Sequence, residues 1–130
     1  MPKILVVADE AWVVNDVHAA LAEASYQVTV LDDPADLADT YRDVEPDVVI
    51  LDLQVGSMGG MAGTREIRHV AARDGTDPAP VIVLLDREAD GFLAKRAGAT
   101  ARLRKPFNGF DLRDLIDTLT AGEPVAATAE

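Results

Sequence analysis

Apolar residues fall along the chain in short runs, separated by longer stretches in which they recur every three or four positions, and the alternation of these two periods predicts strands and helices in turn. Residues 3–7 (KILVV) read as a first strand, and residues 27–31 (QVTVL) as a second, alternating one. Residues 48–51 (VVIL) and 81–85 (VIVLL) are continuous apolar runs bounded by Pro, Asp or Gly, the pattern of strands buried on both faces. Residues 101–104 (ARLR) make a short last strand. Between them, Trp12, Val13, Val17, Ala20, Leu21 and Ala24 line one helical face, and Asp33-Pro34 supplies an N-cap and first helical residue for a helix through Leu37 and Tyr41 to about Val44. Residues 61–73 carry Ile67, Val70 and Ala71 on one side, and residues 75–80 (GTDPAP) form a loop. Residues 88–97 form a helix stopped by Gly98 and weakened at Gly91 by about 1 kcal/mol relative to alanine. Residues 110–119 present Leu112, Leu115, Ile116 and Leu119. Five strands alternating with five helices predict an α/β three-layer sandwich around a parallel sheet, with right-handed crossovers. The aperiodic stretch 120–130 (TAGEPVAATAE) is expected to be a disordered tail.

Composition narrows the class. With 130 residues, 48% of them hydrophobic, and no internal repeat, the chain fits one domain that buries about two thirds of its unfolded surface without metal or disulfide. It has no cysteine and no run near the ~20 apolar residues of a membrane span, so a soluble, cytoplasmic protein without membrane contact is expected. A net charge of −11 repels a phosphate backbone, which argues against direct nucleic-acid binding and suits a divalent-cation site.

The candidate chemistry lies at strand ends. Residues 47–60 (DVVILDLQVGSMGG) deliver Asp52 to the end of a buried strand just before a glycine-punctuated loop, and in open parallel sheets ligands collect at the carboxyl ends of strands. A turn or N-cap carboxylate is the plainer account of Asp52. Asp9 and Glu10 follow the first strand at the start of the first helix, where acids favour the helix dipole by roughly 0.3–1 kcal/mol each. Asp86 ends the fourth strand and is expected to cap the next helix, with repulsion of an anion as the alternative. His18 and His69 read as solvated helix positions. Trp12 falls in the first helical turn close to Asp9, with packing as its default role.

On ILVVADE, LDLQVGSMGG, VIVLL, AGA at 97–99 and RKPF at 104–107, the chain resembles the receiver domain of two-component response regulators over residues 3–119, so that 1–119 is the expected receiver domain. The resemblance implies a flavodoxin-like doubly wound fold with strand order 2-1-3-4-5. It implies that Asp52 accepts a phosphoryl group from a phosphohistidine of a histidine kinase or phosphotransfer protein. It further implies that Mg²⁺ is held by Asp9, Asp52 and the backbone carbonyl of Gln54, that Lys105 pairs with the phosphoryl oxygens, and that Pro106 matches a position whose peptide bond is often cis. A non-enzymatic signalling module is expected, working by contact with a downstream protein or as a homodimer. The face of the fourth helix, fifth strand and fifth helix, with Lys95, Arg96, Arg102 and Arg104, is the contact surface that the resemblance implies.

Several positions depart from that family. Ala8 stands where a second acid is usual, Leu85 where a threonine or serine hydroxyl is usual, and Arg102 where an aromatic is common; Gly56 and Gly59 replace a frequent proline and acid. Leucine donates nothing, and a guanidinium in a dry slot is costly. Two readings of the same fold follow: a receiver phosphorylated at Asp52, or a pseudo-receiver that binds a partner independently of phosphate. Gln54 and Arg87 match variable positions that tune the phosphoryl lifetime. A phosphatase-like domain needs an acid at Gln54, and a flavin site wants a glycine- or hydroxyl-rich loop after the first strand, where ADEAWVVND offers carboxylates.

Overall fold

Strands that are apolar at consecutive positions need cover on both faces, and the structure supplies it. The computed structural model describes residues 2–22, 26–53 and 59–121. Five strands, β1 (Lys3–Val7), β2 (Gln27–Leu31), β3 (Val48–Asp52), β4 (Val81–Leu85) and β5 (Ala101–Arg104), form one parallel sheet in the order β2-β1-β3-β4-β5. The helices are α1 (Ala11–Leu21), α2 (Leu37–Val44), α3 (Gly59–Asp74), α4 (Gly91–Ala97) and α5 (Gly109–Thr120).

Because side chains alternate across a strand, each run of apolar residues feeds two cores. Ile4, Val6, Val48, Ile50, Ile82, Leu84, Ala101 and Leu103 pack against Val13, Val17 and Leu21 of α1 and Leu112, Ile116 and Leu119 of α5. Their neighbours Leu5, Val7, Val49, Leu51, Val81, Val83 and Leu85 pack on the other face against Leu37 of α2, Ile67 of α3 and Ala94 of α4. The result is the expected flavodoxin-like three-layer sandwich, with α1 and α5 on one face and the other three helices opposite.

Local chemistry sets the ends of these elements. Asp33 accepts from the Ala35 N–H at 3.0 Å and opens a 3-10 turn at Pro34–Asp36 ahead of α2, while Gly98 closes α4 at φ 101°, which glycine adopts without strain. The predicted helix over 88–97 divides into a 3-10 turn at Glu88–Asp90 and α4. The helix predicted over 61–73 runs over Gly59–Asp74, and that over 110–119 gains a residue at each end with Asn108 as its cap. The first helix departs from expectation in two ways. It begins at Ala11, so Asp9 precedes it and no acid lies in its first turn. Trp12, expected on the apolar face, is 45% exposed, while Ala24 lies outside the described residues. The tail expected over 120–130 begins inside α5, which includes Thr120, and residues 122–130 lie outside the described residues. Among the described residues no helix is long and apolar enough to cross a membrane.

Tyr26, just before β2, donates its hydroxyl proton to Asp117 of α5 at 2.6 Å. Burial first, then the hydrogen bond and charge of Asp117, push its pKa from 10.0 up to about 12. A group whose folded pKa is raised stabilises fully below its unfolded pKa and loses that contribution as pH climbs through the folded one. Between about pH 10 and 12, wild type should lose more stability in urea melts than Tyr26→Phe. The difference should be below about 1.5 kcal/mol, since Tyr26 is only half-buried; parallel losses in both chains would contradict it.

Candidate functional site

The same alternation that builds the cores sorts the polar residues at the strand ends. Asp52, the last residue of β3, continues the parity of Val48 and Ile50; Asp86 continues that of Ile82 and Leu84, and Lys105 that of Ala101 and Leu103. All three therefore fall on the α1/α5 side of the sheet. Leu85 and Arg102 have the opposite parity, and Leu85 joins the other core.

Register brings the strand ends level. Val7 pairs with Leu51, so the buried Ala8 comes next to Asp52 and Asp9 follows it, exposed, beyond the end of β1. Asp52 pairs with Leu84, and the Lys105 N–H donates to the Leu85 carbonyl at 2.8 Å, which pins Lys105 to the end of β4. From there its side chain crosses β4 to β3. The Lys105 ammonium donates to Asp52 Oδ1 at 2.7 Å, with Asp52 0% and Lys105 7% exposed. Lys105–Pro106 is a cis peptide bond, as the resemblance suggested.

Two further groups surround the ammonium. Asp86 Oδ1 lies 3.3 Å from it, and the Trp12 ring centroid lies 5.5 Å from it. The indole N–H of Trp12 donates to Glu10 at 3.0 Å. Burial by itself pushes the Lys105 pKa down, but the hydrogen bonds and charges of Asp52 and Asp86 outweigh it, so the ammonium is held above its ordinary value. Asp86 is thus not the helix cap expected of it. The residue capping the 3-10 turn is Arg87, no side chain caps that turn, and the Asp86 carboxylate takes part in an ion pair instead. Sequence reasoning placed Asp86 at the right strand end. The sign that it shares a side with Asp52 and Lys105 was its even spacing from Ile82 and Leu84.

The remaining expected residues fall as follows. The Gln54 carbonyl and Gly56 lie outside the described residues. Arg87 pairs with Asp90 at 3.0 Å. Arg102 lies so close to Gly91, the first residue of α4, that a Cβ there would meet its side chain unless the arginine moved. Lys95, Arg96 and Arg104 are exposed; Arg96 sits 5.8 Å from the centroid of the Phe92 ring, and Arg104 lies 3.6 Å from Glu88. His18 and His69 are exposed on helices.

Comparison with known proteins gives a consistent picture. The family described as the response regulator receiver domain matches residues 4–117. Protein PilH of Pseudomonas aeruginosa is 31% identical over 124 residues, which cover 94% of this chain and 100% of PilH. Among solved structures, a chain in the co-crystal of the Saccharomyces cerevisiae histidine phosphotransfer signalling protein Ypd1 with the receiver domain of its downstream response regulator Ssk1 gives a TM-score of 0.85. That match covers 96% of this chain and 92% of the other at 16% identity. The receiver domain of the sensor histidine kinase PA1611 of Pseudomonas aeruginosa, with a magnesium ion coordinated in its active site cleft, gives 0.79 over 92% of this chain and 98% of its own at 23% identity. At these identities the two structures are alike in fold.

A buried pair loses heavily when one partner goes. Lys105→Met leaves the Asp52 carboxylate without its cation and should cost about 3 kcal/mol in urea unfolding at neutral pH. Combining it with Asp52→Asn should recover much of that loss; two additive effects would contradict the coupling.

Proposed function

The chain belongs to the response regulator receiver domain family, and from that premise we propose that it accepts a phosphoryl group on Asp52 from a phosphohistidine of a histidine kinase or phosphotransfer protein, in two-component signalling in the cytoplasm. The observation that carries the proposal is the 2.7 Å contact of the Lys105 ammonium with a fully buried Asp52 at the carboxyl end of β3. A carboxylate there is a nucleophile of matching position, and the cation beside it suits the charge that phosphoryl transfer brings. An oxygen of Asp52 forms the new O–P bond while the P–N bond to the donor imidazole breaks, the electron pair leaving with the imidazole. Lys105 then pairs with the phosphoryl oxygens, and the product is a mixed anhydride that water can cleave.

Asp9, just beyond the end of β1, and Asp52, at the end of the neighbouring β3, offer carboxylates that suit Mg²⁺, a hard cation that takes oxygen ligands and keeps several of its waters. The Gln54 carbonyl is the third protein ligand in this proposal. Among the described residues no cluster of three or more carboxylate or imidazole groups gathers, and Ala8 is apolar and buried, so a weak, largely hydrated site is proposed. Mg²⁺, when bound, supplies neutralisation of charge on the phosphoryl oxygens.

Signalling is proposed to run through protein contact at α4, β5 and α5, with a downstream protein or a second copy as partner. This face exposes Phe92 (66%), Leu93 (48%) and Phe110 (66%) beside Lys95 and Arg96. Two observations favour a phosphate-independent interaction module as the second reading. Leu85 is a buried apolar residue at the end of β4, and Arg102 lies against Gly91. A hydroxyl that follows the phosphoryl group and an aromatic that turns inward both have no counterpart there.

Acetyl phosphate with Mg²⁺ should add one phosphoryl group by intact-mass measurement, with none in Asp52→Asn and at least tenfold slower addition in Asp9→Ala. Affinity for the partner that changes on phosphorylation supports the receiver reading. Affinity that stays constant supports the interaction module, and absence of any phosphoryl mass in wild type overturns the phosphoacceptor role.

A further inference from the structure

Lys105 answers to two carboxylates that differ in what they lose on release. Its ammonium offers three donors and accepts nothing. One donor goes to Asp52 at 2.7 Å, and Asp86 draws on the same nitrogen from 3.3 Å. The Asp52 side chain is 0% exposed whereas that of Asp86 is 42% exposed, so Asp86 returns to water at little cost and Asp52 does not. Trp12 stands on a further side of the ammonium, its indole N–H held by Glu10. The arrangement sets a second negative charge beside the place where a phosphoryl group on Asp52 would carry its own. Leu85, just before Asp86 in the chain, has no hydroxyl with which to receive that group.

We infer that Asp86 is a positioning residue that acts through Lys105: it holds the ammonium in the unmodified chain and opposes arrival of a phosphoryl group at Asp52, so that it sets how fast the site is modified. This inference rests on the proposed phosphoacceptor role of Asp52. When the phosphoryl group arrives, Lys105 turns to its oxygens and Asp86 is released to solvent. The next residue, Arg87, pairs with Asp90 at 3.0 Å immediately before α4, the helix that exposes Phe92 and Leu93.

The test compares wild type, Asp86→Asn and Asp86→Glu with acetyl phosphate and Mg²⁺, following phosphoryl uptake by intact mass. In each, an Asp52 oxygen bonds to phosphorus as the P–O bond to acetate breaks, acetate leaving with the electron pair. Asp86→Asn should be modified roughly two- to fivefold faster than wild type, the scale of one partly exposed ion pair, and Asp86→Glu at close to the wild-type rate. In metal-free protein without donor, the nitrogen resonance of the Lys105 ammonium should shift in Asp86→Asn and return towards wild type in Asp86→Glu. Modification of Asp86→Asn at or below the wild-type rate, or an unmoved resonance, overturns the inference while leaving the role of Asp52 intact. If wild type takes up nothing, the phosphoacceptor role of Asp52 falls and this inference falls with it, whatever Asp86→Asn does.

Discussion

An ammonium and a carboxylate removed together from water form the constraint on which the rest of the site depends. Lys105 follows β5 and Asp52 ends β3, strands that are not neighbours, so the side chain of Lys105 must cross β4 to make its 2.7 Å contact. Taking either charge out of water alone would cost several kcal/mol, so the contact demands that three strand ends be level. The backbone meets that demand first. The Lys105 N–H donates to the Leu85 carbonyl, and the Leu53 N–H to the Leu84 carbonyl, which fixes both flanks of β4 before any side chain is placed. Strand order and register are therefore conditions for the ion pair.

The pleat then divides the chemistry between the two sides of the sheet. Asp52, Asp86 and Lys105 share the side covered by α1 and α5, where Trp12 in the first turn of α1 stands against the ammonium. Leu85 and Arg102 belong to the other side, with α4. Leu85 and Arg102, which the resemblance sets apart from the family, are thus on the side that leads to α4, while Asp52 and Lys105, the proposed phosphoacceptor and phosphoryl contact, lie on the charged side. In the proposed function, acceptance of a phosphoryl group and its communication to a partner would therefore fall to different residues. Asp86 reaches the Lys105 ammonium at 3.3 Å, and its neighbour Arg87 pairs with Asp90 just before α4.

Much of the fold was legible because burial on both faces leaves a plain trace. The runs at 48–51 and 81–85 place β3 and β4 to within a residue, since a central parallel strand has no polar face to interrupt it. Helix ends were legible where a cap marked them, as at Asp33 and Gly98. Trp12 was misplaced because spacing reports a face but not the cation that draws an aromatic ring out of the core. Asp86 was misread as a cap because a carboxylate after a strand satisfies both roles locally, and only the reach of Lys105 across β4 decides between them. Gly91, expected to weaken a helix over 88–97, instead begins α4 after a 3-10 turn, with the Arg102 side chain against it, a contact between residues eleven positions apart that no local rule reports.

The central claim is that the buried Asp52–Lys105 pair is a phosphoryl-accepting centre with a metal beside it. A crystal structure grown with Mg²⁺ and beryllofluoride, a mimic of the acyl phosphate, tests this most directly. The account predicts beryllium bonded to an Asp52 oxygen, a fluoride within hydrogen-bonding distance of the Lys105 ammonium, and Mg²⁺ liganded by Asp9 and Asp52. Density for the fluoride on another carboxylate, or Lys105 still paired with an unmodified Asp52 at saturating beryllofluoride, would contradict it.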